Sequence, residues 1–377
     1  MGLTESHWSW ANDDRCGEFM TVLESTSPIS GFAMLVERGE PILITGSNGF
    51  IGARVVKSLL HLGFSNLLCF VRPSSDLTVL NAILSAAPGK ARLIQGNLLS
   101  RDDCDLAAKD VALIYHLAAG IEKSFSEAFK NSVTATGNLL DAAVASGRLR
   151  RFVNVSSFSV YSNWNLDREM IFDEECEIES HPIERAEAYA FAKLKQDELV
   201  VQYGKTAGIP YVILRPGAVF GPGAQQLTAR IGINILGIFL HLGGSNRIPF
   251  TYVDNCADAI ALAGLTPGID GEVFNVVDDD LPSSRQFLKM FKRRGKHLRS
   301  IYVPYWLFYS LCWAWEGCSK LSSGKIPPTF NRRRCSTYWK GNRYSNRKLK
   351  DRLGWMPAVS FSEASRRYFD FVRNNSL

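Results

Sequence analysis

Tyr189-Ala190-Phe191-Ala192-Lys193 sets a phenol and an amine four residues apart. The stretch from Arg185 to Tyr203 has neither Gly nor Pro before Gly204 and is rich in Ala, Glu, Lys and Leu, so it reads as a helix. On a helix, residues i and i+4 share one face. A free phenol titrates at about 10. A neighbouring ammonium favours the phenolate and brings the group toward neutral pH, where it can give and take protons. Tyr-x-x-x-Lys alone also occurs as a plain surface pair. The segment before it adds weight: Val153-Asn154-Val155-Ser156-Ser157-Phe158-Ser159-Val160-Tyr161 reads as a buried parallel strand ending in hydroxyls. Ligands of α/β sheets bind at the carboxyl ends of strands. Ser157 could therefore hydrogen-bond the oxygen that Tyr189 protonates or deprotonates. Ser159 reads as a turn or cap residue.

A second chemical signal lies upstream. Thr45-Gly46-Ser47-Asn48-Gly49-Phe50-Ile51-Gly52 follows the apolar run Ile42-Leu43-Ile44. A strand that ends in three spaced glycines and opens into a helix is a dinucleotide-binding turn. Gly46 permits the turn, Gly49 admits a pyrophosphate to the backbone, and Gly52 lets the helix pack close on the strand. The helix aims its free N–H groups at the phosphates. Asn48, Phe50 and Ile51 complete the cofactor-facing turn. The G-x-x-G-x-x-G spacing, with no Lys-Ser/Thr behind it, argues against a triphosphate P-loop. The plain alternative is a glycine-rich turn that holds no ligand.

Further blocks follow in order: His116-Leu117-Ala118-Ala119, Asn131-Ser132-Val133, Gly137-Asn138-Leu139-Leu140, Leu214-Arg215-Pro216-Gly217, Phe220-Gly221-Pro222-Gly223, Tyr252-Val253-Asp254-Asn255 and Leu353-Gly354-Trp355-Met356-Pro357. With the two motifs above, this series resembles the extended short-chain dehydrogenase/reductase superfamily, also called the NAD-dependent epimerase/dehydratase family, over residues 40–372. The resemblance implies a catalytic set of Ser157, Tyr189 and Lys193, with Lys193 also holding the nicotinamide ribose. It adds Leu98, Leu117, Ala118, Ala119, Asn131 and Pro216 to the cofactor contacts, and it implies a homodimer through two helices. Dehydratases of the superfamily carry an Asp-Glu pair where this chain has Phe158 and Ser159. Many nucleotide-sugar epimerases have an asparagine shortly after the arginine matched by Arg215; here Pro216-Gly217-Ala218 follows, which is similar to hydroxysteroid dehydrogenases and dihydroflavonol-type reductases. The first expectation is thus an NAD(P)-dependent oxidoreductase acting on a secondary alcohol or ketone. The second is a nucleotide-sugar epimerase with tightly held NAD. A non-catalytic cofactor-binding regulator comes third, because such members tend to lose the tyrosine or lysine kept here.

These residues need elements to position them. Strands are expected at 41–45, 66–71, 91–95, 111–116, 151–156 and 210–215, with helices between, for example 50–62, 125–146 and 185–203. Such alternation predicts an α/β fold of the Rossmann type, a doubly wound parallel sheet over 40–224, followed by a smaller substrate lobe over 225–377. The second strand ends Phe70-Val71-Arg72-Pro73-Ser74-Ser75, with no carboxylate before Asp76. NAD preference usually needs an acid there, whereas Arg72 with Ser74 or Ser75 could hold a 2′-phosphate. NADP is therefore favoured over NAD. Asn97, after the third strand, could contact the adenine. Ile231 to Gly244 is apolar but too short to span a membrane, and reads as a buried helix. Asp254 reads as a helix cap.

The composition, 46% hydrophobic and 21% charged, is that of an ordinary globular protein. The eight cysteines form no C-x-x-C and the six histidines no H-E-x-x-H, so no metal site or disulfide framework is expected, and a reducing cytoplasm fits best. Residues 1–39 show no period and no basic-then-apolar signal, and read as a weakly ordered extension. From Arg285 to Arg352 there are eighteen Lys/Arg against two acids, Glu316 and Asp351. The aromatic run Ile301–Trp315 lies among them. Its readings are a helix packed on the substrate lobe, a lid over an apolar substrate, or peripheral membrane contact through 301–318. Arg332-Arg333-Arg334 comes without a recognition motif, so no nucleic acid is expected; the partner is a small-molecule substrate.

Overall fold

The computed structural model describes residues 34–120, 124–224, 227–294, 298–322 and 325–374. The N-terminal extension up to residue 33 lies outside them. Strands β1 (Ile42–Thr45), β2 (Leu67–Val71), β3 (Ala91–Gln95), β4 (Leu113–His116) and β5 (Arg151–Val155) form within two residues of their expected bounds. A short β6 (Ile171–Phe172) lies apart, and β7 (Tyr211–Pro216) returns to the sheet. Then come β8 (Ala218–Phe220), β9 (Gly232–Ile235), β10 (Ile238–His241), β11 (Phe250–Tyr252), β12 (Val273–Val276), β13 (Ser300–Tyr302) and β14 (Arg343–Tyr344).

Seven strands make one parallel sheet in the order β12-β7-β5-β4-β1-β2-β3. Alternate residues of a strand face opposite sides, and both sides are buried except at edge strand β3, which is largely exposed. In β1, Ile42 and Ile44 join a core with Val55, Leu59, Tyr115 and Ile260, while Leu43 joins another with Leu68, Ile114, Leu139 and Ile213. That is why the strands read as continuous apolar runs. The chain order reverses between β1 and β4, the switch point at whose strand ends sheets of this kind bind ligands.

The chain does not divide at one point. Beyond residue 224 it builds a lobe, then returns to supply helix Val253–Leu265 and edge strand β12 to the parallel sheet. Much later, Leu349, Leu353 and Trp355 cover the same core. The lobe has its own apolar centre around Phe220, Phe250, Phe287 and Tyr368, and a three-stranded sheet β13-β10-β9.

Two expectations fail here. The run 231–244 is not a helix but the hairpin β9–β10, paired antiparallel from Gly232↔His241 to Ile235↔Ile238. Gly237 turns it at φ +83°, and a Cβ on Gly232 would lie 1.9 Å from the Leu240 carbonyl oxygen, a contact only glycine allows. Asp254 does not cap its helix: the cap residue is Tyr252, which makes no side-chain cap bond, and Asp254 sits in the first turn 3.8 Å from Arg54. There its charge still suits the helix N-terminus.

Candidate active site

The glycine turn is held by its own geometry. Gly46 has φ +67°, and a Cβ there would meet the backbone of Leu117 and Ala118 at 2.9–3.0 Å. A Cβ on Gly52 would lie 2.1 Å from the Gly46 carbonyl oxygen. Gly49 meets only that same oxygen, at 3.1 Å, so its other side is open to a ligand. Helix Gly52–His61 starts directly behind the turn, with Ile51 as its cap residue. Leu117, Ala118 and Ala119 follow β4, half-buried, beside the turn. This cradle of close backbone approaches fits a dinucleotide.

The other expected cofactor residues are spread around it. The Asn48 amide donates to the Asp76 carbonyl at 3.3 Å, tying the turn to the loop after β2. Phe50 lies under the Arg54 guanidinium. Arg72 and Ser74 are exposed at the end of β2. The Asp76 carboxylate accepts from the Thr78 amide and hydroxyl at 2.9 and 2.7 Å, which holds it ionised below its usual range. Asn97 is exposed, its side-chain oxygen taking the Leu99 amide at 3.0 Å. Leu98 is buried, and its carbonyl accepts from Asn138. Pro216 ends β7, buried opposite Val276. Asn131 lies in a π-helical turn, Phe129–Thr134, that breaks the expected helix 125–146. Such turns recur at functional sites, and this one packs on the tyrosine helix.

That helix runs Ala188–Ala207, through Gly204. A Cβ at Gly204 would strike the Tyr211 ring at 2.3 Å, so the glycine serves packing rather than termination. Tyr189 is half-buried, with the Ser157 hydroxyl among the groups that act on its phenol. Burial pushes its phenol above the usual value; the Ser157 hydroxyl opposes this, and the Asp197 carboxylate adds to it. Lys193 is buried and does not enter that balance. Its Nζ donates to the Val155 carbonyl at 2.6 Å and to Gln196 Oε1 at 2.9 Å. Burial pushes the ammonium down to about 8, against the pull of Asp197. The expected lowering of the phenol by the lysine is therefore absent from this state. Ser157, not Ser159, caps the short turn after β5, accepting the Ser159 amide at 3.1 Å.

Sequence reading missed the groups behind these residues. Asp197 is buried and filled: it accepts from Asn154 at 2.8 Å, Ser156 at 2.9 Å and Arg215 at 3.2 Å. Arg215 in turn lies 4.7 Å over the Tyr161 ring. Asp197 stands four residues after Lys193, the same spacing that revealed Tyr189, so one more helical step would have found it. A second series leaves Lys193 through Gln196, whose Nε2 donates to Thr136 Oγ1 at 2.7 Å. Thr136 gives its own hydrogen to the Ser132 carbonyl at 2.6 Å. His116 Nε2, 2.8 Å from that hydroxyl, must therefore be the donor. Its Nδ1 then accepts from Thr45 at 2.8 Å, and Thr45 accepts from the Ala118 amide at 3.4 Å. The series joins the lysine to the glycine turn. Among the described residues no cluster of His, Cys, Asp or Glu could hold a metal ion.

A family model for the NAD dependent epimerase/dehydratase family matches residues 42–276. A trifunctional UDP-glucose 4,6-dehydratase/UDP-4-keto-6-deoxy-D-glucose 3,5-epimerase/UDP-4-keto-L-rhamnose-reductase of Arabidopsis thaliana is 26% identical over 260 residues, 64% of this chain and 38% of that protein. A 3beta-hydroxysteroid-dehydrogenase/decarboxylase isoform 2 of the same plant is 25% identical over 358 residues, 87% of this chain and 61% of that one. The chain thus spans less than two thirds of either relative. A UDP-glucuronic acid 4-epimerase from Bacillus cereus, solved with UDP-glucuronic acid and NAD, shares the fold: its TM-score is 0.66 at 23% identity, covering 89% of this chain and 99% of that one. With the glycine turn, the seven-stranded parallel sheet and the tyrosine helix in the order this family requires, the chain belongs to the NAD dependent epimerase/dehydratase family.

Proposed function

We propose that the chain is an NAD(P)-dependent oxidoreductase that interconverts a secondary alcohol and a ketone, with Tyr189 as general acid/base. The observation that carries this reading is the placement of Tyr189 and Lys193 one turn apart on helix Ala188–Ala207, with Ser157 beside the phenol at the end of β5, near the switch point of the sheet. The turn Gly46–Gly52 and the segment Leu117–Ala119 would hold the dinucleotide, whose nicotinamide, when bound, supplies or takes up the hydride. A phenol held above its ordinary value is protonated at neutral pH, as a donor to a ketone oxygen must be. Ser157 hydrogen-bonds the same oxygen as its charge develops. Lys193, fixed by Val155 and Gln196, is the cation nearest this chemistry along the helix. In the oxidative direction Tyr189 takes the proton back.

For the cofactor, exposed Arg72 and an Asp76 carboxylate already spent on Thr78 favour NADP. A second reading, a nucleotide-sugar epimerase, has its own support in the solved neighbour that holds UDP-glucuronic acid and NAD. Nucleotide release separates the two. An epimerase returns the hydride to its own substrate and can retain NAD through purification, whereas a reductase exchanges its cofactor. Mass spectrometry of the denatured protein should find no stoichiometric NAD, and the empty protein should bind NADPH better than NADH. Tyr189→Phe should lower turnover at least about 100-fold, the scale of general acid/base catalysis, while cofactor affinity stays unchanged. Full turnover by that variant would sink the assignment of Tyr189.

A further inference from the structure

Helix Tyr305–Leu321 buries only a narrow stripe, Phe308, Cys312 and Ser319, against the helix that carries Cys335 and Trp339. The opposite side of an ordinary surface helix is polar. Here it presents Trp306, Ser310, Trp313, Ala314, Gly317 and Leu321, and no charge until Lys320. Trp306 and Trp313, seven residues apart on one side of the helix, are 69% and 63% exposed, and Leu311, around the helix from them, is 55% exposed. No helix among the described residues is long and apolar enough to cross a membrane, so this face does not span one.

The sheet that leads into the helix continues the surface. By register, Ile235, Ile238 and Ile301 lie on one face with Ile233 and Leu240. Ile233 and Leu240 pack with Phe308, while the other three are exposed. The hairpin tip is Leu236, 99% exposed at φ +50°, a turn position that Asn or Gly would ordinarily take. The flanking charges are mainly basic, with the exposed acids Asp167 and Glu169 on either side of Arg168. Arg168 lies against Tyr305 and Arg285 against Tyr302; Lys292 reaches Ser300; Arg299 and Lys320 are exposed. The one acid of the helix, Glu316, is engaged by Arg332.

We propose that this face, helix Tyr305–Leu321 with the β9–β10 tip, docks on the surface of an anionic lipid bilayer. Tryptophan suits the headgroup layer, leucine and isoleucine enter the acyl boundary, and a basic rim meets the negative surface. The charge complementarity selects a membrane over a second copy of this chain, whose rim would carry the same positive sign.

The test is flotation of the full chain with vesicles of phosphatidylcholine plus phosphatidylglycerol, and with phosphatidylcholine alone. The full chain should float with the anionic vesicles, less so as salt is raised. Trp306→Ser/Leu311→Ser/Trp313→Ser should bind them at least about tenfold more weakly, with its melting temperature and turnover unchanged. Lys292→Glu/Arg299→Glu/Lys320→Glu should lose the preference for the anionic vesicles. Absence of flotation at low salt would overturn the proposal, as would equal flotation with both vesicle types. So would light scattering that shows a dimer which the triple serine variant makes monomeric, since a second copy would then cover the face.

Discussion

His116 accepts from Thr45, donates to Thr136 and is fully buried, so its ring is held neutral: burial, then the charge of Lys193, pushes its pKa down to about 3 from an ordinary 6.5. The sign of the consequence is fixed. A base whose folded value lies below its unfolded one gives stability that is present above 6.5 and lost as pH falls toward the folded value. Between pH 7 and pH 5 the loss is about 2 kcal/mol. Asp258 and Asp278, raised by burial to about 6, act in the opposite direction below that pH. The readout is therefore the difference between parent and His116→Gln in urea unfolding at the two pH values. The parent's margin should shrink by that amount at pH 5, and an equal margin at both would refute the neutral imidazole. At this scale the sequence spoke through spacing. Tyr189, Lys193 and the three glycines announce themselves because local backbone or helix geometry dictates their intervals. His116, Thr45 and Thr136 come from three different elements, and only the folded sheet brings them together.

Elements were legible where one period dominated. Six of the seven sheet strands were found from the sequence; in the inner ones burial on both faces removes polar positions, while β3 at the sheet edge, Ala91–Gln95, is largely exposed. The hairpin β9–β10 was not, because a short apolar run does not separate a strand from a buried helix. Its decisive residues were Gly232 and Gly237, which a helix has no use for, among isoleucines that favour strands. Gly232→Ala drives a Cβ into the Leu240 carbonyl and should cost about 1–3 kcal/mol. Gly237→Asn, at an open turn position, should cost less than about 1 kcal/mol. Urea midpoints with unchanged m-values check both; equal losses would mean that the strand contact is not tight. The π-helical turn at Asn131 left no mark in the sequence, because one inserted residue does not disturb an amphipathic stripe enough to be read.

At the scale of the whole molecule, the lobe and the parallel sheet share their chain. Helix Val253–Leu265, β12 and Trp355 belong to the sheet, yet each is separated from it in sequence by lobe residues. The edge strand β12 escaped the sequence reading because its partner, β7, lies more than fifty residues away. Shared segments predict shared unfolding. The tryptophan signal, carried among the described residues by side chains after β5, should melt together with the far-UV signal of the sheet. Cofactor at about 100 times its Kd should stabilise both by about 2.7 kcal/mol, and two transitions with only one shifted would contradict this. The hydrogen-bonded series from Lys193 to Ala118 also matters at this scale. The Thr136 hydrogen is spent on the Ser132 carbonyl and a neutral amide, Gln196, stands in the path, so the series behaves as an insulator and not a wire. On the proposed chemistry, the proton that Tyr189 gives up would therefore be replaced by a route other than this series.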